Sequence, residues 1–320
     1  MVVPIVTEDL SASYDGRTNV WSGINITIDR PGLVGILGPN GVGKSTLMYT
    51  INKIIDPSGG HVYLGGRDIA EMDYKDIARF VAYVPQVSNE TFSMSVMDTV
   101  LMGRYPVSGF NTSDDDIRIA ANCLDLMHMS EFAMRQFDEL SAGQHQKVMI
   151  ARGLAQEPDI LMLDEPTANL DVYYQMYVMK ILREIAHRNG IIVLTICHDL
   201  NVASRFCDRV ILLSDGHVHS DGTPEQVITE KNIQDVYGSG RRSAMWTEGR
   251  ISSSTQTMRP NLTGIPGRSI GWGTTRGRRR GYRMPRIIHP PFSVAASGKE
   301  QDAEKMRMKG SNGLPALIFK

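Results

Sequence analysis

The chain has 320 residues, enough for one large domain or two smaller ones, and its 42% apolar content supplies a sizeable core. No run of about 18 apolar residues occurs, which excludes a membrane-spanning helix, and the opening Met1–Asp9 lacks the basic region and apolar core of a signal peptide. The formal net charge of −1 hides a split: residues 239–320 carry 16 Lys+Arg against 4 Asp+Glu (+12), so 1–238 keeps 18 basic and 31 acidic residues (−13). Cys123, Cys197 and Cys207 fit no metal spacing; they read as buried small hydrophobes in a reducing compartment.

In chain order, Ile5 to Tyr14 and Ile24 to Ile28 alternate apolar and polar residues and read as strands. Tyr14 lies 24 residues ahead of Gly38, where an aromatic can stack on a base, although alone it reads equally as a strand-end tyrosine. The apolar run Leu33–Leu37 then meets Gly38-Pro39-Asn40-Gly41-Val42-Gly43-Lys44-Ser45-Thr46, followed by the helical Leu47–Ile51. Strand, Gly-rich turn, helix is the context a phosphate-binding loop requires. Gly38, Gly41 and Gly43 permit positive φ, and the N–H groups of the loop and helix start supply positive potential. Lys44 can reach the β- and γ-phosphates, and Ser45 offers a hydroxyl to Mg²⁺. A nucleoside triphosphate is the expected ligand.

His61–Arg67 reads as two short strands around a Gly-Gly turn, and Phe80–Val84 as a buried strand ending at Pro85-Gln86. From Ser95 to about Leu140 the period turns helical, through Val96, Val100 and Leu101, then Ile117, Ala121, Leu124 and Met127. Thr112 to Asp116 is a helix start with acidic residues on the positive end of the dipole. Leu126-Met127-His128-Met129 reads as core packing, since one His and two thioethers match no usual ligand set. Leu140-Ser141-Ala142-Gly143-Gln144 opens a helix that Gln156-Glu157-Pro158 ends.

Asp159–Leu163 is a continuous apolar strand that delivers Asp164 and Glu165 at its C-terminal tip, as a central parallel strand would. Ala168-Asn169-Leu170-Asp171 follows, then a helix from Tyr174 to Arg188 stopped by Asn189-Gly190. Ile191–Ile196 is a second central strand ending at Cys197-His198-Asp199; Val210–Leu213 and Val218-His219 flank the turn Ser214-Asp215-Gly216. Asp164 can hold the Mg²⁺ shell, while Glu165 can accept a proton from an attacking water. His198 can contact the γ-phosphate, and Gln86 can serve as a neutral ligand to Mg²⁺ or water. A lone histidine is usually structural or at the surface, and its position beside the carboxylate strand raises His198; Gln86 by itself would signify nothing.

Taken together, the motifs resemble the nucleotide-binding subunit of an ATP-binding-cassette (ABC) transporter over residues 3–238, about three quarters of the chain. Gly38–Thr46 resembles the Walker A loop, Ile160–Glu165 the Walker B strand and Leu140–Gln144 the LSGGQ signature, with Ala142 where the family usually has Gly. Gln86 resembles the Q-loop residue, Ala168–Asp171 the D-loop, His198 the H-loop residue and Tyr14 the A-loop aromatic. The resemblance implies an α/β fold: a P-loop NTPase core with a mixed sheet and flanking helices, and a helical signature subdomain inserted at about 90–155. It implies an ATPase in which two copies pair head to tail. ATP, with Mg²⁺ on Ser45, Gln86 and Asp164, lies between Lys44 of one copy and Ser141, Gly143 and Gln144 of the other, with Asp171 at the same junction.

The same resemblance implies integral-membrane permease subunits as partners, an extracytoplasmic substrate-binding protein acting through them, and a peripheral place on the cytoplasmic face of the membrane. Val100-Leu101-Met102-Gly103-Arg104-Tyr105-Pro106, Ile69 to Ala82 and Gly222-Thr223-Pro224-Glu225 are similar to segments of importers of iron–siderophore, haem and cobalamin, although Met102 to Pro106 also reads as a helix ended by proline. Two other classes compete: a soluble cassette ATPase acting on nucleic acid, and a basic nucleic-acid module resting on Gly277–Arg283. Lys44 and Ser141 are 97 residues apart with no heptads between, which speaks against the first, and no nucleic-acid partner is expected.

Beyond Gly238 the resemblance stops. The Gly-, Ser- and Arg-rich 239–320 reads as a disordered basic extension. A second reading is translation out of the ancestral frame. Met245-Trp246-Thr247 must be ATG-TGG-ACN, which from its third base reads Val-Asp, and codon degeneracy then permits a turn and an apolar strand.

Overall fold

The computed structural model describes residues 2–86, 94–109 and 111–238. Strands β1 (Ile5–Ser13), β2 (Asn19–Ile28) and β3 (Gly32–Leu37) precede helix α1 (Lys44–Ile51); β4 (Gly59–Leu64), β5 (Arg67–Asp68), α2 (Tyr74–Phe80) and β6 (Val81–Val84) follow. Next come α3 (Val96–Leu101), α4 (Tyr105–Ser108), α5 (Asp114–Leu126) and α6 (Ala142–Ala155). Then β7 (Ile160–Leu163), α7 (Val172–Asn189), β8 (Ile192–Ile196), α8 (Leu200–Phe206), β9 (Arg209–Ser214), β10 (His217–Gly222), α9 (Pro224–Val227) and α10 (Glu230–Gly238) complete the order.

The strands form two sheets. One is mixed, in the order β10-β9-β3-β8-β7-β6, with β9 to β6 parallel and β10 an antiparallel edge. The other, β2-β1-β4-β5, is antiparallel throughout. Every residue of β3, β7 and β8 is buried, which is why these strands are continuous apolar runs rather than alternating ones. β3 serves both sides. Leu33 and Leu37 enter a core with α3, α5, α6 and α7, while Val34 and Ile36 enter one shared with α1 and the antiparallel sheet. Both faces of the mixed sheet are covered, so its strand tips are where polar groups can emerge.

The whole of 85–159 is inserted between β6 and β7, which are neighbours in the sheet. Ser113 begins α5 with a reciprocal capping box to Asp116, satisfying two N–H groups of the first turn. Several expectations shift. Ile117 is exposed and Ala121 half-buried, while Leu124 and Met127 are buried as the period implies; Ala120 and Cys123 complete the stripe that α5 turns into α3 and α6. Phe80 closes α2 rather than opening β6. Pro106 ends no helix: it occupies the first turn of α4, where its missing N–H costs nothing. α7 begins at Val172 and ends on Gly190 in the left-handed conformation. All three cysteines are buried, as are Met127 and Met129. The readings made for 239–320 lie outside the described residues.

Candidate functional site

The loop after β3 is shaped by its glycines. Gly38, Gly41 and Gly43 have φ of 149°, 82° and 95°. A Cβ at Gly38 would lie 2.5 Å from the Leu213 carbonyl oxygen, and one at Gly43 2.6 Å from Trp21 and Val20. Side chains are therefore excluded at both ends of the loop, while at Gly41 a Cβ would meet nothing and the crest is open. Trp21, which the sequence did not single out, donates its indole N–H to the Gly43 carbonyl at 3.3 Å. Lys44 is buried, and its Nζ donates to the carbonyls of Gly38 (2.8 Å) and Pro39 (2.9 Å), curling the loop round its own cation. Burial lowers the Lys44 pKa, and the charges of Glu165 and Asp164 oppose that. Pro39 and Val42 are half-buried, Asn40 is exposed, and Thr46 Oγ1 is 3.0 Å from the hydroxyl of the exposed Tyr14.

Parallel register brings the other groups to the same rim. Val84 pairs with Leu163, and Leu163 with Thr195, so the residues just beyond these pairs emerge side by side. The Gln86 amide donates to Glu165 Oε2 at 2.9 Å, and His198 Nε2 bonds Glu165 Oε1. Glu165 has φ +50°, a left-handed conformation costing about 1–2 kcal/mol in a residue with a Cβ. The sharp turn lets consecutive carboxylates point differently. Glu165 opens to the rim, while Asp164 is buried with its N–H on the Val84 carbonyl.

Asp164 Oδ2 faces the Tyr83 hydroxyl at 3.4 Å, and its Oδ1 is buried without a partner. Burial raises the Asp164 pKa, while the hydroxyls of Ser45 and Tyr83 hold it down. An orphaned buried carboxylate oxygen beside the Ser45 hydroxyl, with the Gln86 amide on the same rim, is a hard-oxygen donor set suited to Mg²⁺. Tyr83 also went unnoticed in the sequence. Its position beside Val84 on β6 was the available signal, and its phenol is raised well above the ordinary range by burial.

The remaining candidate residues form a second group. Ser141 caps α6 in a reciprocal box with Gln144: the Ser141 N–H donates to Gln144 Oε1 (2.9 Å) and the Gln144 N–H to Ser141 Oγ (3.4 Å). These bonds stay within the signature turn and do not reach 38–46. Ala142 is exposed, so its methyl meets solvent; Gly143 is the tight position, where a Cβ would lie 3.1 Å from the Asn169 carbonyl oxygen. Asn169 itself has φ +62°, and Asp171 caps α7 by accepting the Tyr174 N–H at 3.0 Å. The chain thus joins Lys44, Ser45, Gln86, Asp164, Glu165 and His198 on one rim and gathers Ser141, Gly143, Gln144 and Asp171 round two helix starts.

The sequence pattern of the ABC transporter family matches residues 21–168. The chain is 44% identical over 226 residues to an uncharacterized ABC transporter ATP-binding protein of Methanocaldococcus jannaschii, covering 71% of this chain and 88% of that protein. It is 38% identical over 233 residues to the iron(3+)-hydroxamate import ATP-binding protein of Bacillus subtilis, covering 72% and 86%. With the hemin import ATP-binding protein of Bordetella avium it shares 35% over 238 residues, covering 72% and 90%. Among solved structures it resembles a dimeric bacterial ABC transporter cassette, with a TM-score of 0.63 and 28% identity over 69% of this chain and 98% of that one.

Proposed function

The chain belongs to the ATP-binding subunits of ABC transporters, and from that premise we propose that it drives uptake of an iron chelate, haem or cobalamin through a partner permease. It binds and hydrolyses ATP. The observation that carries the assignment of residues is Glu165, held between Gln86 and His198 on the rim that also presents Lys44. In our reading loop 38–46 cradles the phosphates with its N–H groups, and Lys44 exchanges its carbonyl partners for the β- and γ-phosphate oxygens. Tyr14 stacks on the base. Glu165 takes a proton from water as the water oxygen bonds the γ-phosphorus and the bond to the ADP oxygen breaks. His198 holds Glu165 in place and faces the γ-phosphate.

Ser45, Asp164 and Gln86 would hold Mg²⁺. When bound, that ion would supply neutralisation of phosphate charge. Ser141, Gly143, Gln144 and Asp171 would act on ATP held by a second copy, which is supported by the capping bonds of Ser141, Gln144 and Asp171 staying within their own turns and by the dimeric cassette this fold resembles. Residues 3–238 form the ATPase domain in this reading, with about 90–155 as its inserted helical subdomain. Among the described residues no helix is long and apolar enough to cross a membrane. The chain would attach to the cytoplasmic face through permease subunits, with an extracytoplasmic binding protein reached only through them. Exposed large apolar side chains on two helices in contact support such docking: Tyr74 at the start of α2, and Met102, Tyr105 and Val107 at and beside α4.

Two measurements test this. The purified chain should hydrolyse ATP only with Mg²⁺. A strain lacking the gene should lose uptake of one of the three cargo classes and regain it from the intact gene. Unimpaired uptake of all three would overturn the import assignment.

A further inference from the structure

The two helix starts in the second group are joined by a cation and a ring. Gly143 and Lys147 lie four residues apart on one face of α6. Gly143 abuts the Asn169 carbonyl and Leu170, and Lys147 Nζ stands 3.0 Å from the centre of the Tyr174 ring. Lys147 is buried and, among the described residues, makes no ion pair. Burial lowers its pKa, and the charge of Asp171 opposes that. A buried ammonium is costly unless something replaces its hydration, and an aromatic face does so.

The ring is itself braced. The Tyr174 N–H donates to Asp171, while its ring meets Tyr173 edge-on at 5.4 Å and Tyr177 edge-on at 6.4 Å. Tyr177 in turn packs on His128 at 4.9 Å, and its hydroxyl donates to the Leu126 carbonyl at 2.9 Å. An aromatic ladder therefore runs from the start of α7 to the end of α5.

We propose that Lys147 and Tyr174 are positioning residues for ATP turnover: their contact fixes the start of α6, with Ser141 and Gly143, against Asp171 at the start of α7. The inference rests on the roles proposed above for Ser141 and Asp171. Donors that meet phosphate held by another chain depend on placement, and misplacement is felt in the chemical step more than in nucleotide capture by Lys44.

The test is steady-state ATPase kinetics on the full chain. Tyr174→Leu keeps the backbone N–H on Asp171 and removes the ring, with its π face, its edge contacts to Tyr173 and Tyr177, and its hydroxyl, the last of which Tyr174→Phe removes alone. Lys147→Met keeps length and the apolar stem. Each should lower kcat about tenfold while KM for ATP stays within about twofold. Tyr174→Phe should retain most of the wild-type kcat, and the double variant should fall no further than the worse single one. A role in packing alone would lower the melting temperature and leave kcat per folded molecule intact. Wild-type kcat in either apolar variant, a Phe variant as slow as the Leu one, or additive losses in the double variant would overturn the proposal. If Tyr174→Leu does not fold, Lys147→Met decides alone. A wild-type chain without ATPase activity would overturn the function and this inference together; wild-type turnover with unchanged variants would overturn this inference only.

Discussion

The strand-tip rim and the pair of helix starts are built on different principles. At the rim, groups from β3, β6, β7 and β8 are brought together by parallel register and are bonded to one another, Gln86 and His198 to Glu165 and Lys44 to its own loop. At the helix starts, Ser141 with Gln144 and Asp171 with Tyr174 satisfy only their own turns. In the proposed function the first region captures phosphate with what one chain supplies. The second is shaped and capped, and among the described residues its capping bonds go no further than its own turns. That difference is what the proposed site, completed by a second copy, would require.

The largest effect should come from the rim. Glu165→Gln should slow turnover by about 10²–10⁴-fold, the usual worth of a placed general base, and leave ATP affinity intact by equilibrium binding. Lys44→Ala should lower turnover by about 10²–10³-fold and weaken ATP binding as well, which would set capture and proton transfer apart within one rim. Wild-type turnover in Glu165→Gln would remove Glu165 as the base.

Asp164→Asn should abolish Mg²⁺-dependent turnover and at the same time raise the melting temperature of the nucleotide-free chain. Burial raises the Asp164 pKa, so its ionised form costs stability above the folded pKa, and that cost is relieved as pH falls through it. The advantage of Asn should therefore be greatest near neutral pH and shrink in acid, as thermal unfolding at several pH values would report. An unchanged melting temperature at neutral pH would mean that Asp164 is not strained by burial.

Gly143→Ala should give the smallest effect and falls on the second region alone. The helix gains about 1 kcal/mol in propensity, against roughly 1–3 kcal/mol for a Cβ crowding the Asn169 carbonyl at 3.1 Å. A net loss of stability between zero and about 2 kcal/mol is expected, with turnover several-fold lower and ATP binding by the single chain unchanged. A variant that loses ATP affinity instead would erase the distinction between the two regions.

Much of the rim was legible because its signals are local. Gly38 to Thr46 follows an apolar run and opens a helix, and Asp164-Glu165 and His198 each follow an apolar strand. Register then does the rest, since parallel strands buried on both faces can release polar groups only at their tips. What was not legible depends on tertiary packing. Nothing in the sequence says that Trp21 closes over Gly43, that Glu165 turns left-handed so that Asp164 can stay buried, or that Tyr83 meets Asp164. The antiparallel second sheet and the strand order were likewise beyond reach, because they pair segments far apart in the chain. Ile117 looked like core by period alone, and only the packing of α5 on α3 and α6 decided which stripe was buried.

The claim that the site is shared between two copies is tested most directly by the mass in solution of the Glu165→Gln chain. Sedimentation equilibrium should give a single chain without nucleotide and twice that mass with Mg²⁺ and ATP, and Ser141→Arg in the same background should abolish the doubling. A mass that stays at one chain when ATP is bound to saturation would contradict the account.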